Sequence, residues 1–246
     1  MTIRAVMKLG VFVVAVWLAQ GTSALAQPTP APDSSPAASS PIQGDVGFDY
    51  IPGPASDVGL GKIVTTTSNA YGAHGNIQYA KGQILPHAAF DYRNWQSTVA
   101  GTTAAYTTTS VDGRLGVGFA FLPRTFIGVG YLSQSSPLGS MGGAGFGIDI
   151  VPKYDRWFSV YGSAWYYPWE SGTFSSGFPP GTPAPGPTLA QRIIKYRVGV
   201  TIGIPWGPVP VFLDLGAAGD TGKEGNNVSP NTSEGGFFVG LRAALK

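Results

Sequence analysis

Ten ionisable side chains recur at equivalent positions in short alternating segments of this chain: Asp45, Asp49, Asp91, Asp149 and Asp214, with Arg93, Arg114, Lys195, Arg197 and Arg242. In an extended strand, residues two apart point to the same side. In each segment the charges share a face with glycine, and bulky apolar residues take the other. Such a set has three possible chemistries. Paired and buried, the groups form a structural ion-pair network; wet, they line a path for small solutes; gathered at one point, carboxylates act as general acid and base. Five acids against five bases is the balance that pairing requires.

His74 and His87 are the imidazoles available as general bases, and both fall on polar faces. Neither comes with a nucleophile elbow or a His-plus-carboxylate spacing, so no catalytic, cofactor-binding or metal-binding residue is assigned. The run Gly142-Gly-Ala-Gly-Phe-Gly147 is glycine-rich enough for a phosphate loop, but it continues at period two into Ile148 and Ile150, which makes it part of a strand. The glycosylation-type triplets at Asn227 and Asn231 read as a solvated loop.

The element that must carry these charges is clearest between Arg192 and Pro205. There Ile194, Tyr196, Val198, Val200, Ile202 and Ile204 alternate with Lys195, Arg197, Gly199, Thr201 and Gly203. A strand of this length, at a rise of ~3.3 Å and a tilt near 40°, gives an apolar band about 25 Å tall. About ten such segments follow one another. Val46, Phe48 and Tyr50 oppose Asp45, Gly47 and Asp49. Leu115, Val117, Phe119 and Phe121 oppose Arg114, Gly116 and Gly118; Phe237, Val239, Leu241 and Leu245 oppose Phe238, Gly240 and Arg242. Trp157, Trp165, Tyr166, Tyr167, Trp169 and Trp206 are expected at strand ends, where amphipathic rings favour the lipid headgroup level.

Connections alternate between short (122–124, 152–155, 205–207) and long (135–141, 170–187, 219–233), the pattern of a transmembrane, up-and-down antiparallel β-barrel. An all-β barrel of about ten strands is predicted. Eight strands, with residues 44–80 partly outside the wall, is the alternative, and a soluble secreted β-sandwich is the competing architecture.

Residues 1–26 read as a signal peptide: Arg4 and Lys8 precede an apolar run from Leu9 to Leu18, and Ala24-Leu25-Ala26 supplies a small-x-small cleavage site. Residues 27–43 form a Pro/Ala/Ser-rich periplasmic leader, and 44–246 the barrel. Charged residues make up only 11% of the chain against 36 glycines, so little of the surface suits water. Losing Arg4 and Lys8 takes the net charge from +2 to 0, which gives no reason to expect a nucleic-acid partner.

From Gly44 to Lys246 the chain resembles, at the level of pattern, the small bacterial outer-membrane β-barrels of the OmpA-transmembrane-domain or OmpX-like class. That resemblance implies residence in the outer membrane, with lipid and the barrel-assembly machinery as partners. It also leaves the loops 170–187 and 219–233 free for an extracellular ligand. Barrels of that class commonly end in an aromatic residue, whereas this chain ends Ala244-Leu245-Lys246. The implied role is structural, permeability-related or surface-interacting. A narrow small-solute pore, an outer-membrane lipid-modifying enzyme and a soluble binding protein are the other readings.

Overall fold

The computed structural model describes residues 40–53, 55–59, 65–99, 105–136, 139–174, 189–205, 209–224 and 231–245. The expected signal peptide and nearly all of the expected leader lie outside them. Eleven strands follow in order: β1 (Ile42–Pro52), β2 (Ala55–Gly59), β3 (Thr65–Tyr79), β4 (Ile84–Val99), β5 (Ala105–Phe119), β6 (Leu122–Ser136), β7 (Gly139–Ile150), β8 (Phe158–Phe174), β9 (Leu189–Ile204), β10 (Val211–Glu224) and β11 (Asn231–Leu245). Each of β3 to β10 pairs antiparallel with the next, and β1 pairs with both β3 and β11, so the sheet closes on itself.

β1 and β2 are one stave of that barrel. Tyr50 lies opposite Val239 and Ala55 opposite Gly235, five steps on one strand against four on β11. The extra residue is taken up at the bend, where Gly53 has φ +55°, a conformation that favours glycine. Ten staves result. This removes the eight-strand alternative, because β1 and β3 pair from Ile42 opposite Tyr79 to Pro52 opposite Asn69.

The start of β1, the end of β11 and the connections 80–83, 120–121, 151–157 and 205–210 share one end of the barrel, here called the turn end. The far connections are shorter than the sequence suggests. Strands β6 and β7 leave only residues 137–138 between them, and the loops expected at 170–187 and 219–233 shrink to 175–188 and 225–230. The polar stretches that look like loop are laddered: Asp220 faces Glu234 and Gly222 faces Thr232 across β10 and β11. Backbone pairing is indifferent to side-chain polarity, and the staves run on past the apolar band. Likewise Leu122, Pro123 and Arg124 belong to β6, and the turn before them is Ala120–Phe121.

The two faces of the wall differ as the alternation predicts. Leu115, Val129 and Phe146 on the outside are 66%, 65% and 55% exposed, while Asp49, Asp112 and Asp214 on the inside are fully buried. The inside has apolar clusters on both sides of the charges. Leu85, Phe126 and Val151 pack near the turn end; Leu132, Trp165, Tyr167 and Ile193 pack further along. The turn after β7 folds beneath the lumen, held by Arg124, whose Nε donates to Val151 O at 2.7 Å and whose Nη2 donates to Val160 O at 2.5 Å.

Glycine permits the close approach of neighbouring staves. A Cβ on Gly128 would run into Leu115 O and come within 2.7 Å of Gly116 Cα. Gly128→Val is therefore expected to destabilise the barrel by roughly 1–3 kcal/mol through overpacking. Reversible urea unfolding of the refolded protein would measure it, and an unchanged midpoint would mean that the wall shifts to accept the side chain.

Candidate functional site

All ten charges singled out from the sequence point into the barrel and are buried. Strand alternation places them. Odd-numbered positions of β1, β4, β7 and β9 face inward, as do even-numbered positions of β5, β10 and β11, and the same parity turns their neighbours to the outside.

Asp214 on β10 is the most heavily contacted. It accepts from Tyr161 Oη at 2.5 Å, from Arg242 Nη2 at 2.8 Å and from Arg197 Nη2 at 3.4 Å, with His74 Nε2 at 3.5 Å. Arg242 also donates to Asp45 at 3.0 Å, and Asp45 is bonded in turn by Asn76. Arg197 reaches Asp49 at 2.5 Å and Asp91 at 3.7 Å, and its guanidinium lies 4.3 Å from the centre of the Phe238 ring. Asp91 receives Arg93 at 3.2 Å and Lys195 at 3.3 Å. Arg114 bridges Asp112 at 2.8 Å and Asp149 at 3.1 Å, and Trp165 Nε1 donates to the same Asp149 oxygen at 2.9 Å. Charges this deep persist only when paired and hydrogen-bonded.

Four buried acids join the set that the sequence reading named: Asp112, Glu170, Asp220 and Glu234. Asp112 and Asp220 follow from parity, counting back from Arg114 and forward from Asp214. Glu170 defies it. Counted by twos from Tyr166 it would face outward, but the β8–β9 register slips between Tyr167 and Glu170, across Pro168 and Trp169. Proline cannot donate to the ladder and is accommodated at such a bulge. The slip turns Trp169 out and Glu170 in.

The ion contacts thus join six carboxylates, those of Asp45, Asp49, Asp91, Asp112, Asp149 and Asp214, to five bases. Glu170, Asp220 and Glu234 lie towards the far end. Among the described residues the interior therefore holds nine acids against five Arg and Lys.

Two of the six aromatic side chains expected at the headgroup level are corrected. Trp165 and Tyr167 are 2% and 0% exposed, inside the barrel. The cause is a glycine lane: His87 faces Gly116, Gly116 faces Gly128, Gly128 faces Gly147, and Gly147 faces Trp165 across four successive strand pairs. The volume left by the missing side chains is filled by these rings. A Cβ on Gly147 would stand 2.6 Å from Trp165 Cδ2, and one on Gly145 would stand 2.5 Å from Tyr167 Cδ1. Trp157 and Trp169 are outside, at 75% and 78% exposure, and Trp206 lies outside the described residues.

Both imidazoles are buried in the interior. His74 lies between carboxylates, Nδ1 at 3.3 Å from Asp49 and Nε2 at 3.5 Å from Asp214, contacts at ion-pair distance that lack hydrogen-bond geometry. His87 stacks on Phe126 at 4.2 Å between ring centres. Among the described residues no three His, Asp or Glu side chains are grouped to hold a metal.

No protein-family model matches the chain, and no curated protein does. Among solved structures it is similar to the translocator domain of the autotransporter NalP from Neisseria meningitidis, with 12% identity, 99% of this chain and 96% of that one covered, and a TM-score of 0.42. It is also similar to the outer membrane protease OmpT from Escherichia coli, at 14% identity, 84% and 98% coverage and a TM-score of 0.35. A third likeness is to the outer membrane protein OprG from Pseudomonas aeruginosa, at 10% identity, 83% and 95% coverage and a TM-score of 0.31. Likenesses this distant assign no family and no activity. The architecture of a small outer-membrane β-barrel is nonetheless present in this chain's own closed ladder, ten antiparallel staves with apolar residues outside and ion pairs within.

Proposed function

We propose that the chain is a bacterial outer-membrane barrel whose lumen is plugged by its own ion pairs. Its role is structural, with the far end of the barrel at the cell surface, without catalysis and without an open channel. The observation that carries this reading is the inversion of ordinary protein polarity, with fully buried Asp214 and Asp49 inside and large apolar side chains exposed outside. The exposed Trp157, just before β8, and Trp169, five residues short of its end, stand twelve residues apart. That is about 40 Å along the strand and, at a tilt near 40°, about 30 Å along the barrel axis, the order of spacing of aromatic girdles on either side of a hydrocarbon layer. Lipid and the assembly machinery are the partners such a barrel needs.

The excess of interior acids supports one secondary reading, in which any leak through the lumen prefers cations.

Planar-bilayer recording with the refolded protein tests both. The wild type is expected to pass at most a small current, and Arg114→Ser combined with Arg197→Ser is expected to raise it, since Arg197 reaches from β9 to Asp49 on β1 and Asp91 on β4 and Arg114 from β5 to Asp149 on β7. A wild-type conductance as large as that of a wide porin would rule out the plug. A mature chain that stays soluble and monomeric without detergent would rule out the membrane.

A further inference from the structure

On the outer face of the wall, towards the far end, Arg192 on β9 lies directly opposite Lys223 on β10. Parity turns both outward, since Arg192 stands between the buried Gln191 and Ile193, and Lys223 follows the buried Gly222. Residues so placed have Cβ atoms about 5 Å apart, and like charges there repel. Neither side chain has an ion-pair partner among the described residues. A third group joins them through the bulge in β8. The register passes from Tyr167 opposite Ile193 to Glu170 opposite Gln191, so Pro168 and Trp169 sit against Arg192, and the Trp169 ring stands outside at 78% exposure. All three lie just past the apolar band. On β9 the outward row runs from Val200 to Ile194 and then reaches Arg192, and on β10 it ends at Thr221 and Lys223. That is the level at which lipid headgroups begin. The other basic side chains of the described residues lie inside the barrel or at the turn end.

We propose that Arg192 and Lys223 together hold the phosphomonoester headgroup of a lipid in the outer leaflet, with the Trp169 ring beside it at the junction of headgroup and chain. Charge complementarity is the argument. A phosphomonoester carries about −1.5 to −2 at neutral pH and offers three acceptor oxygens, against two facing cations here. The guanidinium can engage two of those oxygens side by side, and the ammonium supplies a point charge to the third. Mutual repulsion of the two side chains then becomes shared attraction to one group. A lipid fits better than a free ion, because its chains continue down the apolar row from Ile194 to Val200. The inference rests on the reading above, in which the wall is embedded in a membrane and the far end is the outer one.

The mature chain refolded into phosphatidylcholine vesicles, with or without phosphatidic acid, tests it. With phosphatidic acid the urea midpoint of the wild type is expected to rise, and protein taken from those vesicles into detergent is expected to retain one such lipid by native mass spectrometry. Arg192→Gln combined with Lys223→Gln is expected to weaken retention about thirtyfold, from the attraction that two basic residues contribute at an anionic surface, and to remove the rise. Lys153→Gln combined with Arg156→Gln, at the turn end, is expected to respond as the wild type does. If the first variant does not fold, the wild type decides through its choice of lipid. An equal response to phosphatidylglycerol, whose phosphodiester carries one charge, would overturn the proposal, because surface charge alone would then account for it. Inorganic phosphate that raises the midpoint as much in plain phosphatidylcholine would overturn the lipid. A barrel that inserts but answers to neither lipid overturns this inference and leaves the membrane reading standing, whereas a chain that does not insert overturns both.

Discussion

Asp214→Ala is expected to destabilise the barrel more than any other single change in the lumen, by about 3–5 kcal/mol, the usual cost of removing one member of a buried ion pair. The carboxylate accepts from two guanidinium groups and one phenol and is fully buried, so its loss takes a partner from Tyr161, Arg197 and Arg242 at once and leaves Arg197 to Asp49 and Asp91 and Arg242 to Asp45. Most of the penalty comes from the groups left behind. A second substitution should expose that: Asp214→Ala with Arg242→Met is expected to cost less than the sum of the two single changes, because each single change leaves the other member of the pair behind. Urea midpoints of the refolded single and double variants measure the difference. If the two changes simply add, the pairs are too hydrated to matter.

Val200→Arg is expected to cost roughly 2–4 kcal/mol when the protein is embedded in phospholipid vesicles, as a cation on the lipid face of a barrel does near the bilayer midplane. Val200 faces Val160 on β8 and Leu215 on β10, an apolar patch on the outer surface of the wall. The comparison is Phe121→Arg, in the turn between β5 and β6, which is expected to cost only about 0–1 kcal/mol at the interface. Depth dependence is the signature of the membrane. Equal costs at the two positions would point to an ordinary protein-packed surface.

Much of this architecture is legible in the sequence because one signal dominates it. Period-two alternation sets which residues face inward, and the row Lys195, Arg197, Gly199, Thr201, Gly203 is read from the chain and found inside the barrel without adjustment. What alternation cannot give is where it stops. Asp220 and Glu234 sit in stretches of small and polar residues that have no apolar row to mark them as strand, yet their backbones pair. Glu170 is hidden for a different reason, since a one-residue slip reverses parity and only Pro168 hints at it. Trp165 and Tyr167 lie inside although their residue type suggests the headgroup region, because their position depends on Gly145 and Gly147 of the neighbouring strand. The partners of each charge were also beyond reach. Arg242 and Asp45 are 197 residues apart in the chain, and no spacing rule joins them.

That last pair has a consequence for how the molecule forms. β1 and β11 are the first and last strands, and the seam between them pairs Asp45 with Ala244 and Tyr50 with Val239. Every other junction joins consecutive staves and can zip as a hairpin from a nearby turn, but this one must wait for nearly the whole chain and carries the largest loop-closure entropy. Until it forms, the sheet is open, with two unpaired edges and half of the Arg242 clamp missing. Closure therefore completes the ladder and the charge layer in one late, cooperative step, and the kinetic barrier to assembly lies at the meeting of the two ends of the chain.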